Sequence, residues 1–248
     1  MRELDAPQQS DAWYKHRLGR ITASRMSDVM DVLKSGKESA ARRNYRMQLC
    51  AERLTNRMTD HYVSMEMQRG IDLESTALEM YQIATQSMVI PVGFVLHPEW
   101  DFAGASPDGL VDSDGLIEVK APKSETLIDW RLNGIIPEEY MLQMQWQMAC
   151  TGRKWCDFYG YDDRLPPPIS NLIKRVERDE KKIEEISAAV LQLNSEIEAM
   201  IQQLGLPPTR WTPYHELLKE TEQPEVGYDP TKSFEEQVDF LDSREMVP

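Results

Sequence analysis

Two carboxylates and a lysine stand close together in the segments Ser106-Pro107-Asp108-Gly109-Leu110 and Leu116-Ile117-Glu118-Val119-Lys120. Between them Asp112-Ser113-Asp114-Gly115 is a turn-forming cluster flanked by apolar residues, which predicts a β-hairpin. Alternate side chains of a strand share a face, so Glu118 and Lys120 point one way and Val119 the other. The hairpin then returns Asp108 to the side of Glu118. Two hard oxygen ligands beside a cation suit Mg²⁺-dependent hydrolysis of a phosphodiester. The alternative is a set of solvated turn and edge residues. Val111, Leu116, Ile117 and Val119 favour an internal hairpin, where a charge needs a partner or a metal.

A third carboxylate joins them by helical spacing. From Met65 to Ala84, Met67, Ile71, Leu78 and Tyr81 form one stripe with Ala77 at its edge, and Glu74 falls in the middle of it. Asp72, Glu79 and Gln82 lie on the solvent side. A carboxylate on a buried stripe is protonated, ion-paired, here with Arg69 or Arg17, or bound to metal. Three carboxylates can serve two metal ions about 3.5–4 Å apart.

Two further segments carry groups that can hold phosphate. Leu18-Gly19-Arg20-Ile21-Thr22-Ala23-Ser24 places Arg17 before a glycine turn and Ser24 near a helix start. An arginine, a hydroxyl and backbone N–H groups there can grip an anion, or simply cap and solvate the helix. Gln143 and Gln147 are one turn apart beside Tyr140, Met144 and Met148. Glutamines on such a helix usually face solvent. Packed beside the acids, Gln143 would reach a DNA phosphate or the attacking water.

The elements that must position these groups alternate. Helices are predicted over Asp11–Arg17 with Ser10 as N-cap, from after Thr22 to about Leu33, over Ser39–Arg57 and through the Glu74 segment. Strands follow at 88–97 and 101–105, with Pro91 marking an edge or bulge. Beyond the hairpin come helices near Glu125–Leu132 and Pro137–Thr151, strands at 154–161 and Asn171–Val176, and a helix over Glu180–Leu204. The last repeats Ile183, Ile186, Val190, Leu193 and Ile197 on one face, for packing on the domain or for a coiled-coil contact between subunits. The expected fold class is α/β (α+β), a mixed central β-sheet flanked by helices.

With 248 residues, 41% of them hydrophobic and 28% charged, the chain suits one full core plus an appendage. No apolar run is long enough to span a bilayer, and no secretory segment stands at the N-terminus. Cys50, Cys150 and Cys156 form no disulfide framework or zinc motif, and His16, His61, His97 and His215 are scattered. A reducing, cytoplasmic setting is expected. The net charge of −14 is unusual for a partner of DNA, but Thr212–Pro248 alone holds ten acidic and three basic residues. Basic clusters at Lys15–Arg25 and Arg42–Arg46 suggest a local positive groove under an acidic exterior.

Taken in order, Asp11-Ala12-Trp13, Arg17-Leu18-Gly19, Thr22-Ala23-Ser24, Gly70 with Glu74, Ser106–Leu110, Glu118-Val119-Lys120, Tyr140-Met141 with Gln143 and Gln145, and Glu177–Lys181 resemble the phage lambda exonuclease family of viral recombination nucleases, within the PD-(D/E)xK superfamily. The resemblance covers roughly residues 11–205. It implies an exonuclease domain over 1–206 and an acidic extension over 207–248 without counterpart. It further implies a Mg²⁺-dependent enzyme, with Mn²⁺ as a substitute and two ions per site, which degrades linear duplex DNA 5′ to 3′ into mononucleotides and leaves a 3′ tail. Asp108, Glu118, Glu74 and the Val119 carbonyl would be metal ligands, and Lys120 would orient or help deprotonate the water. Arg17 and Ser24 would grip the 5′ phosphate, with Ser106, Tyr140 and Gln143 as further contacts to DNA. A homotrimeric ring, a single-strand annealing partner and action in the cytoplasm of a bacterial host complete what it implies. An endonuclease of the same superfamily and a non-catalytic DNA-end-binding module are the competing readings.

Overall fold

The computed structural model describes residues 1–59 and 65–211, with side chains of 65–67 left aside. In chain order its elements are β1 (Arg2–Leu4), α1 (Asp11–Arg17), β2 (Ile21–Thr22), α2 (Met26–Met30), α3 (Ala40–Thr55), α4 (Met65–Thr85), β3 (Val89–Ile90), β4 (Phe94–Leu96), β5 (Ala103–Ala105), β6 (Gly109–Val111), β7 (Gly115–Lys120), α5 (Ser124–Asn133), α6 (Glu138–Thr151), β8 (Trp155–Tyr161), β9 (Asn171–Glu177) and α7 (Glu180–Gln203). They build two mixed sheets, of order β3-β6-β7-β8-β9 and β1-β4-β5-β2, with helices against them. No described helix is long and apolar enough to cross a membrane.

The predicted hairpin forms with Gly109 opposite Ile117 and Val111 opposite Gly115. Asp112 takes the turn's left-handed conformation, which a short polar side chain tolerates. Because β7 alternates, its two faces meet different partners. Ile117 and Val119 pack with Ala77 and Tyr81 of α4 and with Tyr159 and Tyr161 of β8. Leu116 on the other face joins the larger core with Phe158, Leu127, Met144 and Met148. Helix α6 is buried on nearly every side, as its Leu142, Met144, Trp146, Met148, Ala149 and Cys150 require. It therefore sits centrally, touching both sheets as well as α2 and α7.

Several expectations are corrected. The single strand expected over 88–97 is two strands in different sheets, because the chain switches sheets at Pro91–Gly93. A Cβ at Gly93 would stand 2.3 Å from the Leu4 carbonyl oxygen, so only glycine lets β1 close onto this corner. The expected mixed α/β class with flanking helices stands, but its strands divide between two sheets, and β1 and β2, three and two residues long, are too short to leave a periodic signal. The helix expected to reach Leu33 ends at Met30, after which Val32 bridges to Glu38. In α4 the covered residues are Ala77 and Tyr81, while Ile71 is exposed; Met67 lies outside the described side chains. Gln82 is half-buried rather than solvent-facing, and accepts a hydrogen bond from the Val89 N–H.

The basic clusters are also largely spent inside the fold. Arg42 and Arg46 pair with Glu38 and Glu196, and Arg20 and His16 are buried. The α7 face bearing Ile183, Ile186, Val190, Leu193 and Ile197 is buried against the domain, the first of its two expected roles. Residues 207–211 turn back to lay the Trp211 ring 4.7 Å from the Arg20 guanidinium and 5.0 Å from that of Arg53. The rest of the acidic extension lies outside the described residues.

Candidate active site

Asp108 precedes β6 and Glu118 sits near the end of β7, so hairpin pairing sets them side by side. The Asp108 Oδ2 accepts the Val119 N–H at 2.6 Å, which ties the first carboxylate to the strand carrying the second. Glu118 is only 1% exposed. Its Oε1 accepts Lys120 Nζ, and Gln143 Nε2 at 2.8 Å, while its Oε2 accepts Gln147 Nε2 at 2.5 Å. Lys120 is in turn held over the Tyr140 ring, with Nζ 4.9 Å from the centroid.

The electrostatics follow from crowding. Loss of hydration and the neighbouring charges of Glu118 and Glu74 push the Asp108 carboxyl well above its ordinary range, with Lys120 opposing. Burial and Glu118 raise Glu74 as well. At Lys120 burial acts against the ammonium, but Glu118 and Asp108 outweigh it and raise its pKa. Lys120 is therefore a cation at neutral pH. Three acids and one lysine leave an excess of negative charge that a divalent cation would relieve.

Glu74 approaches from the other face of the sheet. It is half-buried on α4, which packs on Val119, whereas Glu118 faces α6. Glu74 and Asp108 line one cleft of about 500 Å³ together with Asp5, Gln8, Leu78 and Val92. Among the described residues no three His, Cys, Asp or Glu side chains are grouped tightly enough to hold an ion by themselves. That donor set still fits Mg²⁺, which is commonly bound by one or two carboxylates together with waters and substrate phosphate oxygens. The ion pair of Glu74 with Arg69 or Arg17 does not form: Arg69 pairs with Asp162 and Asp163 instead.

Arg17, Ser24 and Ser106 come together. Arg17 Nη1 lies 3.3 Å from Ser106 Oγ and its Nη2 3.4 Å from Ser24 Oγ. The indole N–H of Trp13 donates to the same Ser106 oxygen at 2.9 Å, and the Arg17 guanidinium stands 4.3 Å from the Trp13 ring. Arg17 forms no ion pair with a described residue, and burial lowers its pKa from the usual value. Ser106 is two residues from Asp108, so Arg17, with Glu52 as its nearest opposing charge, borders the acids.

Gln147, expected to face solvent, is fully buried beneath Glu118. The signal was available, because Leu142, Met144, Trp146 and Met148 surround it on a helix apolar all round. Nothing in the sequence spacing marks Trp13 as a partner of Ser106, since the contact spans two elements.

A hairpin and a following helix that gather two acids and a lysine at the end of a mixed sheet define a nuclease of the PD-(D/E)xK type. The family model of the YqaJ-like viral recombinase domain matches residues 12–154, and the chain belongs to that family. An alkaline exonuclease from Laribacter hongkongensis, LHK-Exo, is 44% identical over 79% of this chain and 96% of its own, with a TM-score of 0.74. The same values hold for LHK-Exo in complex with dAMP. A phage-related exonuclease from Haemophilus somnus 129PT is 14% identical over 75% of this chain and 96% of its own at a TM-score of 0.60, a likeness of fold alone. No curated protein matches the chain.

Proposed function

We propose that this chain is a Mg²⁺-dependent exonuclease that degrades linear double-stranded DNA from a 5′ end, releases mononucleotides and leaves a 3′ single-stranded tail. The observation that carries the reading is the closeness of Asp108, Glu118 and Lys120 to Arg17, which is held by Ser24 and Ser106 and makes no direct ion pair with a described residue. Similarity to LHK-Exo supports it.

Asp108, Glu118 and the Val119 carbonyl would hold one divalent cation, Mg²⁺ or Mn²⁺, and Glu74 would help to hold a second. When bound, such ions polarise the phosphoryl oxygens and lower the pKa of water. The chain's own groups do the rest. Gln143 and Gln147 fix the Glu118 carboxylate by donating to both of its oxygens. Lys120 orients the attacking water or helps to deprotonate it, and stabilises negative charge developing on the phosphate. Arg17, Ser24 and Ser106 receive the terminal 5′ phosphate, which favours 5′-phosphorylated ends. Tyr140 keeps Lys120 directed at the acids and would contact the DNA. The catalytic domain spans 1–206 and the acidic extension 207–248; a homotrimer acting with a single-strand annealing protein in the bacterial cytoplasm completes the reading.

The test is incubation of linear 5′-phosphorylated duplex and of closed circular duplex with Mg²⁺, with and without chelator. Mononucleotides from the linear DNA alone, abolished by chelator, are expected. Cutting of the circle would indicate an endonuclease, and absence of hydrolysis from both would leave only end binding.

A further inference from the structure

One cluster at the rim of the site is not used by the reaction as described. Strand β8 runs parallel to β7 with Gly160 level with Lys120, and Asp162 follows two residues beyond. From strand spacing and rise, Asp162 lies about 8 Å from Lys120 along the same end of the sheet. The Asp162 side chain is fully buried. It accepts Arg69 Nη2 at 2.7 Å, Arg164 Nε at 2.7 Å and Nη2 at 3.0 Å, the Arg164 backbone N–H at 3.2 Å, and Ser124 Oγ at 2.5 Å.

The two arginines come from distant places, α4 and the β8–β9 connection, yet one buried carboxylate grips the inner edge of both. Their outer edges remain accessible, with Arg164 48% and Arg69 26% exposed. Each guanidinium carries five N–H donors. Those of Arg164 Nη1, and of Arg69 Nε and Nη1, have no hydrogen-bond partner among the described residues. Asp163, itself 49% exposed, takes one remaining contact of Arg69 and is the acid a stronger anion would displace.

A carboxylate that fixes two guanidinium planes while leaving donors outward builds a rigid receptor for a phosphate oxygen pair. Its position agrees. Across the sheet end the order β6, β7, β8 reads Arg17 with Ser106, then the catalytic acids and Lys120, then Arg69 with Arg164. At about 3.4 Å rise per nucleotide, a DNA strand passing the acids reaches this pair within roughly two nucleotides. Resting on the nuclease reading above, we propose that Arg69 and Arg164, mounted on Asp162, bind a backbone phosphate of the DNA on the side of the acids away from Arg17.

The experiment measures kcat and KM for linear 5′-phosphorylated duplex in Mg²⁺ across a KCl series, using the full chain. The variants are Arg164→Ala, Arg164→Gln, which retains a donor to Asp162, and Lys182→Ala as a control on α7. One phosphate contact is worth about 0.9 in the slope of log affinity against log salt, hence about eightfold at 0.1 M. Arg164→Ala and Arg164→Gln should each raise KM about eightfold at 0.1 M and flatten the slope of log KM by about one, with kcat within twofold and the melting temperature retained. Lys182→Ala should leave KM and slope unchanged. Unchanged KM and slope in Arg164→Gln, or an equal effect from Lys182→Ala, overturns the assignment while the nuclease reading stands. Wild type that does not hydrolyse duplex DNA overturns both.

Discussion

Replacing Gln147 by leucine tests whether the buried carboxylate of Glu118 is held from beneath. Leucine has a similar volume, so the change removes a donor without opening a large cavity. The lost contact is a hydrogen bond of 2.5 Å to a carboxylate 1% exposed. Hydrogen bonds to charged groups contribute about 1.5–3 kcal/mol, and the oxygen left behind has no water to replace its donor. A loss of about 2 kcal/mol corresponds to a fall in Tm of roughly 4–8 °C for a domain of this size. Gln143→Leu should cost less, because Gln143 is half-buried and Lys120 still donates to the same Oε1. Loosening a ligand's support commonly lowers metalloenzyme activity about 10–100-fold, and a similar loss is expected here. Urea unfolding of Gln147→Leu, Glu118→Gln and the double variant isolates the pair. A coupling under about 0.5 kcal/mol, or a Gln147→Leu effect no larger than that of Gln143→Leu, would refute the reasoning.

Lys120→Ala and Glu118→Ala should each lower hydrolysis by at least about 10²–10³-fold while duplex binding, read by fluorescence anisotropy, is largely retained; near wild-type turnover in either defeats their roles. Arg17→Ala should reduce the ratio of rates on 5′-phosphorylated and 5′-hydroxyl duplex by about 10–100-fold, the equivalent of one charge-assisted contact, and an unchanged ratio would remove the grip from Arg17. His97 stacks on Trp100 and Trp146, and burial, with Arg2 adding to it, lowers its pKa to about 4. The unfolded chain then binds a proton that the native state refuses. Its contribution is present above pH 6.5 and is lost as pH falls towards 4, by about 1–2 kcal/mol after allowance for solvent screening. His97→Phe should flatten that part of the plot of Tm against pH; an identical plot would show that His97 is not responsible.

What the sequence determined was local. Turn residues at Asp112–Gly115 between apolar runs required the hairpin, and period-two alternation then put Glu118 and Lys120 on one face beside Asp108. Ser10, as a cap, set the start of α1, and the apolar repeat of α7 specified its buried face. Tertiary structure decided which of these elements meet. Helical spacing marked Glu74 but not the face of the sheet from which it arrives, and nothing local showed that Arg42 and Arg46 would be neutralised by Glu196, far along the chain, or that Gln147 would turn inward to Glu118. Strands of two or three residues, such as β1 and β2, carry too few side chains to express a period and exist only because another strand lies alongside. A chain's periodicity reports which side of an element is covered; what covers it is settled only when distant elements compete for the same apolar surface and the same buried charges.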